Sequence, residues 1–223
     1  MERSGNHSPV TRSIAVLMLV TISLSASGCV GPMLATGIYL LQGGNVVPAE
    51  CKALEHKRVV VVCRPPSSHE YRQAGASRAL AQRVSQLLVE NVKDIDVVNP
   101  REVDNWIDES DWGDFKELAK AVQADMVLHI VLDEFSLYEG KTLYRGRTDL
   151  TMTVYDMKEK GKEVWSKDMD EFLYPAHSGI PAQDKPPQQF EREFVSIIAT
   201  RIAEYFYKHD PNSTFAMDAM ANR

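Results

Sequence analysis

With 223 residues, 44% of them hydrophobic, the chain has room for one ordinary domain plus an export signal and is too apolar for global disorder. Its formal net charge is −6 and it contains no run of basic residues, which argues against a nucleic-acid partner, since phosphate binding needs clustered Lys and Arg. Only three cysteines occur, Cys29, Cys51 and Cys63.

The N-terminus reads as an export signal. Arg3 and Arg12 make a positive start, and Ile14 to Leu24 is apolar apart from Thr21 and Ser23. That core is short for a spanning helix, which needs roughly 20 residues. Ala26-Ser27-Gly28-Cys29 follows, with small residues immediately before a cysteine. This resembles the lipobox of bacterial lipoproteins, with Ala26 where leucine is typical. The resemblance implies cleavage between Gly28 and Cys29 and an acyl anchor, palmitate included, on Cys29. Val30 stands where an aspartate would imply inner-membrane retention, so the implied place is the outer membrane, facing the periplasm. Losing Glu2, Arg3 and Arg12 with residues 1–28 leaves a net charge of −7. Two other readings stay open: an ordinary signal peptide, and an uncleaved membrane helix continuing through the apolar residues Val30 to Leu41. Gly31, Pro32 and Gly37 interrupt that continuation. The expected layout is a signal peptide at 1–28, a lipidated Gly-containing linker at 29–50, a single domain at 51–209 and a flexible tail at 210–223.

Along the domain, Arg58 to Cys63 (RVVVVC) is a β-branched run of buried-strand type, stopped by Pro65-Pro66. Ala76, Leu80, Val84, Leu87 and Leu88 recur at helical spacing within 74–92. Ile95 to Val98 reads as a short strand and Arg101 to Ile107 as a short helix, with Val103, Trp106 and Ile107 on its apolar side. Asp111 to Asp114 are placed to cap a helix from Phe115 to Val122. Met126 to Leu132 (MVLHIVL) is a second buried strand. Leu150, Met152 and Val154 alternate with Thr151, Thr153 and Tyr155, and Val164 to Met169 returns after a turn. Leu173 to Gln189 holds four prolines and reads as a loop. Phe190 to Tyr207 is the strongest helical signal, with Phe190, Phe194, Ile197, Ile198, Ile202, Tyr205 and Phe206 on one stripe. The stripe is too apolar to leave in water, so it is expected to pack on the sheet beside Val59, Val61 and Ile130. The fold class is α/β with an α+β character: a mixed sheet of about five strands with helices packed on it.

One block of the chain resembles a known group. The helix ALAQRVSQLLVEN, the strand IDVVNPREV, the strand MVLHIVLDEF after Ala124-Asp125, and the hairpin TDLTMTVYDMKEKGKEVWSKDMDEF, with Asp156 and Gly161 at its turn and Trp165 as its aromatic, are similar to the periplasmic lipoprotein domain shared by CsgG, LpoB and the N-terminal part of TolB. The resemblance implies a partner-binding or oligomerising domain with no transferable catalytic set. The curli channel builds its pore from two long amphipathic hairpins. Between Tyr138 and Arg147, and between Leu173 and Gln189, the sequence shows neither the length nor the alternation of membrane strands, which need about 9–11 residues each.

Catalytic motifs are absent from the sequence: no H-E-x-x-H, G-x-S-x-G, Walker-A or G-x-G-x-x-G pattern occurs. His129, Asp133 and Glu134 form the best local set for metal or acid–base work, against the plainer reading of a core histidine with acids at a strand exit. Cys51 and Cys63 form a candidate disulfide pair in an oxidising compartment; two buried free thiols or a metal or redox role are the alternatives. Asp108 to Asp111 reads as a cation or partner site or as a solvated loop with a helix cap. No cofactor or metal is expected. The functional expectation is a non-enzymatic, membrane-anchored assembly, accessory or partner-binding module, touching membrane lipid through Cys29 and an envelope protein or a second copy of itself. An envelope hydrolase or metal-dependent enzyme with a site assembled from distant residues, or a subunit of an outer-membrane secretion channel, is the alternative. The open edge of the 150–169 hairpin is the expected docking surface. Its lysines, Lys158, Lys160, Lys162 and Lys167, imply an acidic partner there.

Overall fold

Valine runs and alternating strands reach their partners as the sequence indicates, but the sheet is larger than expected. The computed structural model describes residues 46–64, 70–109 and 115–211. Gly28, Cys29 and the rest of the signal and linker up to residue 45, Pro65-Pro66, the cap at 110–114 with Trp112, and the tail from 212 lie outside the described residues. The described elements are β1 (Arg58–Arg64), α1 (Glu70–Asn91), β2 (Asp96–Val97), α2 (Pro100–Glu109), α3 (Phe115–Ala121), β3 (Met126–Glu139), β4 (Leu143–Asp156), β5 (Lys162–Tyr174), β6 (Ile180–Pro181) and α4 (Pro187–Glu204). The strands form one mixed sheet in the order β2-β1-β3-β4-β5, with β6 paired to β4. β1 runs parallel to β2 and β3, and the remaining pairings are antiparallel.

The valines of β1 are buried on both sides, which is why the strand has no polar alternation. Val59 and Val61 join a core with α1 and α4, while Val60 and Val62 join a smaller one under α2 and α3. The α4 stripe packs in the same core as Val59, Val61 and Ile130, as expected. Ala76, Leu80, Val84, Leu87 and Leu88 bury the apolar side of α1 there. Asp125 fastens one end of the sheet. Its N–H donates to the Arg58 carbonyl, its carbonyl accepts from the Met157 N–H, and its carboxylate accepts from the Arg58 N–H and meets Lys158 at 2.9 Å. The Lys158 ammonium, and then the Arg58 backbone N–H, hold the Asp125 carboxyl below the usual range. The β4–β5 turn closes as read: Asp156 Oδ1 accepts from the N–H of Lys158, the N–H of Gly161 donates to the Asp156 carbonyl, and Gly161 adopts φ +74°.

Two expectations fail in length. β3 and β4 are each 14 residues long and run out to a turn at Gly140, taking in the stretch from Tyr138 to Arg147. The ladder passes two irregularities, between Leu132 and Glu134 and between Ser136 and Tyr138. Each bulge resets the in–out alternation, so period two disappears from the sequence although pairing continues. Likewise the proline-rich stretch is only partly loop: β5 extends to Tyr174, and Ile180–Pro181 pairs with Leu143 and Tyr144. The folded unit also begins before Cys51, with Val47 and His209 exchanging backbone hydrogen bonds at 2.9 and 3.0 Å.

The distal hairpin is held by α4 through aromatic rings. Phe190 stacks on Tyr144 with centroids 4.9 Å apart, and Phe194 lies 5.4 Å from Phe135 and parallel to Tyr174 and Phe172. At the other end of the helix Phe206 meets the edge of Trp165 at 5.2 Å. Phe194 sits on Gly146, where an added Cβ would lie 2.6 Å from the ring. Gly146→Ala is therefore expected to destabilise by about 1–3 kcal/mol through overpacking, and Phe194→Ala by about 3–5 kcal/mol through the cavity it leaves. Combining the two should cost less than the sum, because the shortened side chain makes room for the new methyl. Urea denaturation of the three variants measures this.

Candidate functional site

The sequence-derived candidates separate in the structure. Cys51 and Cys63, the candidate pair, are both free thiols in this structure. Glu50, beside Cys51, reaches Lys167 on β5 at 3.2 Å, whereas Cys63 lies on β1 with β3 and β4 in between. The Cys63 thiol bonds to the buried Ser77 hydroxyl, and burial, only partly offset by that bond, pushes its pKa up to about 12. Burial raises the Cys51 thiol as well. Neither is a nucleophile near neutral pH. Alkylation of the native protein should leave both thiols unmodified, and denaturation without reductant should expose both. A mass two hydrogens lighter, with no labelling after denaturation, would show a bridge instead.

His129 and Asp133 lie on the same side of β3, as the alternation indicates, but in different surroundings. The His129 ring stacks with Phe115 of α3 at 5.5 Å and tilts toward Tyr155 at 6.4 Å. Burial, and then the Arg64 charge, lower its pKa below the ordinary range. Asp133 is exposed beyond the cover of α3, with its carboxyl raised by desolvation and by the charges of Asp149, Asp168 and Asp170. Among the described residues no group of three His, Cys, Asp or Glu is placed to hold a metal ion. Because folding keeps His129 neutral, its contribution to stability is complete above the unfolded pKa of about 6.5 and falls as pH drops through the lowered folded value. Wild type should therefore lose stability between pH 7.5 and 5, and His129→Gln should lose less over that interval, as read from urea midpoints at each pH.

The acidic segment proves to be helical as far as it is described. Asp108 lies in the last turn of α2 and is bonded by Arg78 of α1, with Gln82 meeting Asp104 at 3.2 Å alongside. Two open clefts occur elsewhere. One, of about 370 Å³, lies between α1 and α4 against Ala79, Arg83, Arg192 and Val195. The other, of about 350 Å³, lies beside Pro48, Lys52, Lys93 and Phe206 where the chain enters the domain. His129 and Asp133 line neither.

The edge of the sheet is the feature that sequence reasoning located but misassigned in charge. β5 pairs with β4 on one side only, and among the described residues no backbone hydrogen bond reaches its other side. Trp165, Lys167 and Met169 are the half-buried residues of this stretch, and Val164, Ser166, Asp168 and Asp170 alternate with them as exposed ones. The expected guard lysines are engaged elsewhere: Lys158 with Asp125, Lys162 with Glu159 at 3.0 Å, and Lys167 with Glu50 and over the Tyr205 ring at 5.3 Å. Lys158 and Lys160 belong to the turn before β5. What the middle of the edge presents is Asp168, which accepts from Thr151 Oγ1 at 2.9 Å, and Asp170, with Asp149 and Asp133 on the strands behind. The expected preference for an acidic partner is thus corrected. Period two made the facing legible in VWSKDMDEF, but only the fold shows which charges already have partners.

No family model matches the chain, and no curated protein sequence is similar to it. Among solved structures it is similar to a PelC dodecamer from Paraburkholderia phytofirmans, at 13% identity over 73% of this chain and 95% of that one, with a TM-score of 0.42. It is also similar to lipoprotein GNA1162 from Neisseria meningitidis, at 15% identity over 66% and 98% of the two chains and TM-score 0.41. A third likeness is to the LpoB C-terminal domain from Salmonella enterica, at 14% identity over 52% and 83% and TM-score 0.33.

Proposed function

We propose that this chain is a lipid-anchored lipoprotein of a bacterial cell envelope, held through Cys29 in the outer membrane facing the periplasm, and that its domain binds a protein partner without catalysing a reaction. The observation that carries the reading is the layout of the domain relative to its point of entry. The chain enters at Val47, paired to His209, and the cleft beside Pro48 includes Lys93 at the end of α1, so entry lies at the end of the sheet where Asp96 pairs with Arg58. β3 and β4 run from that end through 14 residues, about 45 Å at strand rise, to the Gly140 turn. Residues 30–46 as a tether span at most about 60 Å. An anchored domain of this kind holds its long hairpin and the unpaired side of β5 within a bounded distance of the membrane, which raises the effective concentration of any partner confined there.

Assembly or accessory roles fit this layout better than a channel subunit. The hairpin is long enough for membrane strands, but one of its faces is covered by Phe190 and Phe194 of α4. The same reading agrees with the resemblance to the CsgG, LpoB and TolB N-terminal domains. Expression in a Gram-negative host should give a protein that begins at an acylated Cys29 and fractionates with the outer membrane. Cys29→Ala should abolish acylation and release the domain into the soluble envelope fraction. A native chain that retains residues 1–28 with an unmodified Cys29 would overturn the anchor.

A further inference from the structure

We infer that the free side of β5 takes an extended segment of a protein partner by strand addition, and that this segment carries Lys or Arg at alternate positions opposite Asp168 and Asp170. The inference rests on the partner-binding reading above and names the chemistry of the partner. Unpaired strand edges offer a row of backbone donors and acceptors, and natural proteins protect them unless they are used. The usable edge runs from Trp165 to Asp170, between the irregularity at Val164 and the point where Glu171 turns to φ +50°. Val164 itself is left 43% exposed.

Charge decides the occupant. On the exposed face, Asp168 and Asp170 follow one another at the edge, with Asp149 on β4 and Asp133 on β3 behind them; after desolvation, the charges of the other three raise the Asp133 carboxyl. The basic residues of this face lie away from that stretch: Lys162 starts the strand and is held by Glu159, and Arg147 pairs with Leu173 beyond Glu171. An incoming strand would set every second side chain over the aspartates, so Lys or Arg at those positions relieves a like-charge cluster while the backbone completes the ladder. Lys167, on the opposite face, is held by Glu50 and leaves the edge itself to the aspartates. A second copy of the chain fits less well. Antiparallel pairing of two β5 strands centred on Lys167 opposes two lysines, centred on Met169 it opposes Asp168 to Asp170, and any register brings a second set of four aspartates to the same face. A mature charge of −7 adds to that repulsion.

The test uses the full chain in a neutral detergent and three labelled nine-residue peptides: one alternating Thr and Lys, its Thr–Glu counterpart, and the Thr–Lys peptide N-methylated at alternate backbone nitrogens. Fluorescence anisotropy should show binding of the Thr–Lys peptide and none of the Thr–Glu peptide. N-methylation keeps the charge but removes strand donors, and should weaken binding by about a hundredfold or more. Asp168→Asn with Asp170→Asn should weaken it at least about fivefold, whereas Glu90→Gln with Asp94→Asn, elsewhere on the surface, should not. Hydrogen exchange should slow at β5 amides when the peptide is bound. Equal binding of the methylated peptide would reduce the interaction to charge adsorption and overturn strand addition. Unchanged binding by the Asp168/Asp170 variant would place the site elsewhere, stronger self-association than peptide binding would assign the edge to a second copy, and no binding at all would dispose of the proposal. Any of these would leave the anchored, partner-binding reading intact, since that fails only with the acylation and fractionation results at Cys29.

Discussion

Helix α4 lying across the long hairpin is the contact on which the rest of the fold depends. A 14-residue antiparallel pair with an uncovered apolar face would not be stable on its own in water. Phe190 and Phe194 supply that cover, seated between Tyr144, Tyr174, Phe135 and Phe172, and Gly146 makes the close approach possible by having no side chain. The other end of the helix joins the same layer to Trp165 through Phe206. One element thus spans the core from the distal hairpin to the end where the chain enters, and it couples the position of β5 to that of β3 and β4.

The two faces of the sheet are covered unequally, and the exposed surface follows from that inequality. One face lies under α1 and α4 over much of its length. Among the described residues, the other is covered by α2 and the short α3 across β1 and the start of β3, where Phe115 closes over His129 and Tyr155. Beyond that cover the outward residues are polar: Asp133, Asp149, Thr151, Ser166, Asp168 and Asp170. His129 and Asp133 therefore share a side without sharing an environment. Burial lowers the histidine, while desolvation and then the neighbouring carboxylates raise the aspartate. Such divergence in pKa often marks an acid–base pair, but here it arises from the border of the helix cover, and no third ligand-bearing residue among those described joins the two.

The anchoring and binding readings support one another physically. On the proposed anchoring at Cys29, a domain that begins at the Val47–His209 bridge would keep its free strand edge at a bounded distance from lipid, and modest affinity would then be sufficient, because the partner search would be confined to the envelope. On the proposed strand addition, the charges along β5 would serve discrimination more than strength: exposed pairs each contribute little, yet an edge lined with aspartates disfavours acidic strands.

Much of this was legible in the residues themselves. The β-branched run of β1, the helical spacing of Leu80, Val84, Leu87 and Leu88, the stripe from Phe190 to Phe206, and the turn made by Asp156 and Gly161 each depend on local propensity or on one periodicity, so sequence alone determined them, together with the export-type pattern ending at Cys29. What tertiary structure decided were matters of partnership. Two bulges erased the alternation that would have revealed the full length of β3 and β4, since a bulge shifts side chains between faces without stopping the ladder. Lys167 could be read as a guard of the edge only until Glu50, 117 residues away, was seen to hold it. Local signals determine which way a side chain faces; whether its charge is still available depends on contacts between residues far apart in the chain, and those exist only once the chain has folded.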